Sequence, residues 1–363
     1  MKSEGINMKD IICIKSRFKD YTLEFVNDFS YLHSLVEKNN TFFVFDRIVY
    51  ELYKLQLPVF PKDRIMLIDA IESKKNIDSV LAICEKMTAM SSKRNTHLIS
   101  VGGGITQDIT GFVATSLYRG IKWTFYPTTL LAACDSCIGG KSSLNYKGFK
   151  NLLGTFYPPD KILVLPDVFK TLSNKDYCSG LGEVVKFNVI AGNDFINKIE
   201  NDIDDLLQHD YIKLTHYIKN SLNFKKQFIE EDEFDTGIRI LLNFAHTFGH
   251  AYETISNYAI PHGSAVALGM ITANNISVQR EYIKIAYAQK IENICKKILV
   301  NVKLEPSWFE LEKVIQAIKK DKKQTDDAIK AVLIDFNYKL NVFNDITVIE
   351  IEKAIKHMLN VME

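Results

Sequence analysis

The sequence predicts a two-domain fold: an N-terminal α/β domain with a mostly parallel sheet over residues 1–172, followed by an all-α domain over residues 173–363. Three observations predict it. Short β-branched or aromatic runs alternate with helix-period segments through the first half. Three consecutive glycines follow an apolar run as it gives way to a helical pattern. From about residue 180 onward nearly every segment carries apolar residues at helical spacing.

In chain order, TFFVFD (41–46), RIMLID (64–69), THLISVGGG (96–104), KWTFYPTT (122–129) and KILVLP (161–166) read as strands. Between them, NIDSVLAICEKMTAM and DITGFVATSLYRG read as helices. Alternation of this kind indicates a parallel sheet covered by helices. After LPDVFKTLSNKDYCSG the period changes, and GEVVKFNVI, IKLTHYIKNSLNFKKQFIE, LLNFAHTFGH and GSAVALGMITANNISVQREY all read as helical. The boundary is expected near residue 172.

With 45 basic and 44 acidic residues among 363, the formal charge is +1, so no global field draws in nucleic acid or an anionic membrane. Any anion must be held by a local cluster. No run approaches the roughly 18 apolar residues of a membrane span, and a soluble, cytoplasmic protein is expected. Six cysteines in this length suit a reducing compartment. Cys134 and Cys137 form a C-x-x-C without a second pair to complete a zinc site, and read as two small buried side chains.

Several clusters carry more polarity than a core needs. In LISVGGGITQDITGF, Gly103 and Gly104 let the backbone approach a diphosphate, and the helix start adds partial positive charge; a tight turn would use the same glycines. Asp46, ending its strand, can accept hydrogen bonds from a nucleoside or serve as a turn residue. DSCIGGKSSLNYKGFKN supplies Asp135, Lys141, Lys150 and Asn151. In GLGEVVKF, Glu183 and Lys186 share one helix face, where they could equally form a surface pair. Lys225, Asp235, Arg239, Asn243, His246 and His250 follow, and His262 opens the helix of PHGSAVALGM. Three histidines and a glutamate suit a divalent metal, zinc in particular. A catalytic zinc takes three protein ligands, which leaves one of the four for another role. Spacing alone favours His246 and His250, four apart, as the ligand pair.

The stretches GGGITQDITGFVATSLYRG, PTTLLAACDSCIGGKSSLNYKGFKN, GLGEVVK, LLNFAHTFGHA, HGSAVALGM and DKK, in this order and spacing, resemble the 3-dehydroquinate synthase family of sugar phosphate cyclases over roughly residues 40–335. The resemblance implies an NAD-binding N-terminal domain, a helical metal- and substrate-binding domain, and a homodimer. It implies that Glu183, His246 and His262 hold a divalent metal, zinc or cobalt, while His250 faces the substrate phosphate. Asp46, Glu72, Lys75, Gly103, Gly104, Asp108, Thr128, Thr129, Lys150, Thr171, Leu172 and Asp176 fall where the family contacts NAD. Lys141, Asn151, Asn243, His250 and Lys322 fall where it holds the phosphate, with Arg119 reaching in from the other subunit. Asp135 and Lys186 fall beside the reacting hydroxyls, and Lys225 and Arg239 where the substrate carboxylate is held.

The implied reaction converts a phosphorylated sugar acid, 3-deoxy-arabino-heptulosonate 7-phosphate, to 3-dehydroquinate and phosphate. It runs through transient oxidation by NAD, phosphate elimination, reduction and aldol cyclisation. A related cyclase of specialised metabolism is the runner-up. A metal-dependent polyol dehydrogenase, whose fold the family shares, has little use for so many phosphate-directed side chains. Two departures bear on substrate and cofactor: Gln107 stands where the family usually has glycine, and Asp235 where it commonly has glutamate.

Overall fold

The computed structural model describes residues 11–320 and 328–363, so Lys322 lies outside the described residues. The chain divides into two compact units, Met1–Thr171 and Leu172–Glu363.

The first unit contains strands β1 (Ile12–Ile14), β2 (Tyr21–Phe25), β3 (Thr41–Asp46), β4 (Ile65–Ile68), β5 (His97–Gly102), β6 (Lys122–Pro127), β7 (Lys141–Tyr146), β8 (Phe149–Phe156) and β9 (Lys161–Val164). Its α-helices are α1 (Ser30–Val36), α2 (Arg47–Tyr53), α3 (Ile77–Ala89) and α4 (Gly104–Ser116). Seven of the strands form one sheet in the order β1-β2-β9-β6-β5-β3-β4, parallel except where β1 meets β2. The continuous apolar runs occupy its centre: in β5 every residue is buried, as are Thr41 to Phe45 of β3. Edge strand β4 is only half-buried.

This order creates a switch point. From β3 the chain passes to β4 on one side, whereas β5 leads to β6 on the other. Connections leaving in opposite directions open a crevice beyond the carboxyl ends of β3 and β5, the preferred ligand position in open α/β sheets. Asp46 ends β3, and Gly102 to Gly104 link β5 to α4.

Two features lie beyond the sequence reading of this unit. The β1–β2 ribbon adds itself to β9, and residues 141–156 form the antiparallel hairpin β7–β8.

The second unit contains α5 (Asn174–Ile190), α6 (Asn193–Leu207), α7 (Tyr211–Glu231), α8 (His246–Ile255), α9 (His262–Gln279), α10 (Ile285–Leu299), α11 (Leu311–Lys319) and α12 (Val348–Met362). One element goes beyond the all-α expectation: the hairpin of β10 (Ile329–Ile334) and β11 (Leu340–Ile346). Helix α9 is apolar on nearly every side and is buried along most of its length, with α5, α8, α10 and α12 packed around it. Small residues set the spacing. Alanine in place of Gly269 would bring its Cβ to 2.2 Å from the Ala245 carbonyl oxygen, so α9 and α8 touch backbone to backbone. Among the described residues, no helix is long and apolar enough to cross a membrane.

Candidate functional site

Three helix segments of the second unit converge on one carboxylate. Glu183, fully buried on α5, has His246 Nε2 at 3.3 Å and His262 Nε2 at 3.2 Å from its Oε1. Its Oε2 lies 2.6 Å from Lys186 Nζ, one helical turn on. Lys186 is also buried, so this is no surface pair.

His246 begins α8 behind Ala245, whose φ of 70° turns the chain sharply into the helix. His262 begins α9 directly after Pro261. The i, i+4 partner, His250, lies beside the group, its ring centroid 5.1 Å from that of His246 and 5.8 Å from that of His262. Two sets of three donors have their atoms within 4.8 Å of one another: Glu183, His246 and His262, and His250, Glu253 and His262.

The ring nitrogens show what the first set needs. With a 3.0 Å approach, His246 Nδ1–H donates to the Phe244 carbonyl, which turns the lone pair of Nε2 toward Glu183. His262 has Glu253 Oε2 at 3.2 Å from Nδ1, so a proton on that nitrogen turns its Nε2 lone pair the same way. Two lone pairs facing a buried carboxylate require a cation among them. Bonds of about 2.0–2.1 Å at tetrahedral angles separate neighbouring donors by about 3.3 Å, close to the 3.2 and 3.3 Å measured here. The donor set therefore fits a divalent ion with nitrogen and oxygen ligands.

Without a metal, a proton on His262 answers part of the same demand, while His246 stays neutral. Burial, with the Lys186 charge beside it, pushes the His246 imidazole down to about 3. Burial also opposes charge on His262, but Glu183 and Glu253 outweigh it and raise this imidazole to about 10. Burial disfavours the Glu183 carboxylate too, yet Lys186 and the two histidines hold it well below its ordinary range.

The first unit gathers a different set. Lys75 Nζ lies 2.8 Å from Asp108 Oδ2 and donates to Asn151 Oδ1 at 2.6 Å. Ser143 donates its backbone N–H to Asp108 at 3.0 Å and its hydroxyl to Asn151 at 2.9 Å. Burial pushes the Asp108 carboxyl up, against the pull of Lys75. Asn145 donates to Glu72 Oε1 at 2.8 Å, and Lys150 lies 3.7 Å from the same oxygen. The β7–β8 hairpin thus brings five expected residues together and adds Ser143 and Asn145, which the sequence reading missed.

At the switch point, Asp46 caps α2 by accepting from Ile48 N at 2.9 Å, and burial raises its carboxyl. Thr128 N donates to the Gly102 carbonyl at 2.9 Å, and a Cβ on Gly103 would meet Thr129 Cγ2 at 2.8 Å, so these glycines and threonines are neighbours.

Two family models match: "3-dehydroquinate synthase N-terminal" over residues 65–179 and "3-dehydroquinate synthase C-terminal" over residues 180–324. The 3-dehydroquinate synthase of Dictyoglomus turgidum is 33% identical over 319 residues, which cover 88% of this chain and 89% of that protein. The chain belongs to the 3-dehydroquinate synthase family.

Solved structures carry the fold further. The 2-epi-5-epi-valiolone synthase of Streptomyces hygroscopicus, with NAD+ and Zn2+ bound, superposes with a TM-score of 0.84 at 22% identity, covering 97% of this chain and 99% of that one. A 2-deoxy-scyllo-inosose synthase complexed with carbaglucose-6-phosphate, NAD+ and Co2+ gives 0.82 at 23%, covering 95% and 99%.

Within the family pattern, the remaining expected residues are dispersed. Gln107, the departure from glycine, is buried and paired both ways with Ser136: it donates to the Ser136 carbonyl at 2.7 Å and accepts from its hydroxyl at 2.8 Å. Asp135 sits in the π-helical turn Ala132–Ser136, with Cys134 buried and unoxidised in the same turn. Lys141 is exposed at the start of β7, and Arg119 is exposed in a left-handed turn in which Tyr118, Arg119 and Gly120 have φ of 53°, 61° and 115°. Thr171 shares a 3.2 Å hydrogen bond with Tyr53, while Asp176 accepts from its N-capping Ser173 in the first turn of α5. Leu172 begins the second unit. Lys225 is buried on α7, against which the 3-10 segment Ile238–Asn243 packs. That segment carries buried Arg239, which donates to the Glu233 carbonyl at 2.6 Å, and Asn243, which donates to the Ile240 carbonyl at 3.0 Å. Asp235 adopts a φ of 59° in the turn before it.

The sequence reading also missed Glu253. Its signal was present: His246, His250 and Glu253 follow the i, i+4, i+7 pattern of one helix face.

Proposed function

We propose that the protein is a 3-dehydroquinate synthase, a phosphate-eliminating carbon–oxygen lyase acting on 3-deoxy-arabino-heptulosonate 7-phosphate. The observation that carries this reading is the buried Glu183–His246–His262 donor set with Lys186 at its edge, in a chain whose full-length relatives bear that enzyme's name. When bound, NAD supplies a hydride acceptor that is restored within the turnover, and a zinc or cobalt ion supplies Lewis acidity at the hydroxyl being oxidised.

The chain's own residues do the rest. Glu183, His246 and His262 hold the ion. Lys186, fixed by its 2.6 Å contact with Glu183, donates to the reacting hydroxyl, with Asp135 as its companion in orienting the substrate hydroxyls. His250, Asn243, Lys141, Asn151 and Lys322 neutralise the phosphate as it leaves, and Arg119 of a second copy adds to them in a homodimer. Lys225 and Arg239 bind the substrate carboxylate, and Asp235 binds near the substrate hydroxyls. Gly103, Gly104, Thr128 and Thr129 cradle the cofactor's diphosphate beside Asp46 at the switch point. Glu72, Lys75, Asp108 and Lys150 complete that site, along with Thr171, Leu172 and Asp176.

The test is phosphate release from the heptulosonate phosphate with zinc or cobalt and only trace NAD. Many turnovers are expected without NADH accumulating near about 340 nm. NADH formed in step with substrate consumption would instead indicate a polyol dehydrogenase.

A further inference from the structure

Glu253 has no part in the roles assigned above, yet its carboxylate approaches a proposed metal ligand from behind. Its Oε2 lies 3.2 Å from His262 Nδ1, while Nε2 of the same ring faces Glu183 at 3.2 Å. The two contacts use both nitrogens, so with an ion on Nε2 the remaining proton falls to Nδ1, where Glu253 accepts it and sets how the ring is turned. Helix geometry sets the position: Glu253 lies seven residues after His246 on α8, and the ring it meets begins α9. The two helices are held in close contact at Gly249, where a Cβ would come within 2.9 Å of the Ala265 carbonyl oxygen. The side chain is largely shielded, at 19% exposure, which strengthens its field at the ring.

We infer that Glu253 is a positioning residue of the metal centre, accepting the Nδ1–H of His262 and so directing Nε2, as a more basic ligand, at the ion. This rests on the metal reading of Glu183, His246 and His262. Carboxylates placed behind a ligating imidazole usually govern metal affinity by about 10- to 100-fold.

The experiment titrates Co2+ into metal-stripped, full-length protein against a chromophoric chelator, and records the visible cobalt spectrum and the metal-free melting temperature. Glu253→Ala is expected to weaken Co2+ binding about 100-fold and Glu253→Gln about tenfold, because the amide oxygen still accepts the Nδ1–H but carries no charge. Both should bind one ion per chain with a shifted cobalt spectrum, and still melt cooperatively metal-free, below the parent because Glu253 no longer offsets the His262 charge. A folded variant of either kind that binds Co2+ as tightly as the parent overturns the inference. So does a parent that binds two ions where Glu253→Ala binds one, since Glu253 would then be a ligand in the set with His250. A parent that binds no Co2+ sinks the metal reading itself, a result distinct from both.

Discussion

Gly182 and Gly263 meet backbone to backbone: a methyl group on Gly182 would stand 2.1 Å from the Gly263 carbonyl oxygen, and one on Gly263 would stand 1.7 Å from that of Ser179. Each glycine adjoins a residue of the proposed metal site, Glu183 in one case and His262 in the other. The close approach of α5 and the start of α9 is therefore what brings carboxylate and imidazole to 3.2 Å.

Gly263→Ala should separate these two backbones. Overpacking against main chain, which cannot rotate away, is expected to cost about 3 kcal/mol or more. Thermal unfolding with metal analysis of the purified variant should show a lowered melting temperature together with lost metal. Unchanged values for both would mean that the contact yields without cost.

The two histidines of α8 should behave differently. His246→Ala removes one of the three proposed ligands and should abolish metal retention; His250→Ala should retain the metal and lose turnover. Equal metal loss in both variants would favour simple i, i+4 chelation.

Arg239 should separate acidic from neutral substrates. A carboxylate entering a buried site needs a paired donor, which a guanidinium supplies. Arg239→Ala should weaken binding of the heptulosonate phosphate by about 2–5 kcal/mol while leaving a neutral heptulose phosphate nearly unaffected. Equal damage toward both substrates, or a parent that prefers the neutral sugar, would promote the related-cyclase reading.

Acid should release a brace at α12. Glu350 accepts from Arg280 Nε at 2.5 Å and Nη2 at 3.1 Å, and closes a capping box with Thr347. Burial opposes its charge, but Arg280 and Thr347 hold the carboxyl down to about 2. A depressed carboxyl contributes its stability above its unfolded value, about 4.3, and loses it as pH falls through the folded value. Glu350→Gln, which keeps the capping box but not the charge, should lower the melting temperature by about 2–4 °C at pH near 7. By about pH 2 the difference from the parent should shrink toward nothing; a gap constant with pH would show that the carboxylate charge contributes nothing.

Much of the first unit could be read directly, because β3 and β5 are buried on both faces and so spell continuous apolar runs. The β7–β8 hairpin could not. Its second strand is exposed or half-exposed at every residue and carries no alternation. The metal set shows the same limit. Spacing brings His246 and His250 together on one helix, but the contact of His262 with Glu183 depends on how closely two helices pack, a tertiary property that glycines permit without announcing it. Lys186 could pass for a surface lysine by composition; only burial distinguishes it.

The pairing of β2 with β9 has a consequence for how the chain is made. Lys161 Nζ donates to Glu24 at 2.6 Å across 137 positions, so the strand synthesised second must wait for nearly the whole unit before its partner exists. Until then β6 has a neighbour on one side only, and its open edge is available to any extended segment nearby. Contacts of such long sequence separation form late and slow the search for the native state. A nascent chain halted before residue 161 would hold the switch-point strands but lack the strand that joins them to the N-terminal ribbon.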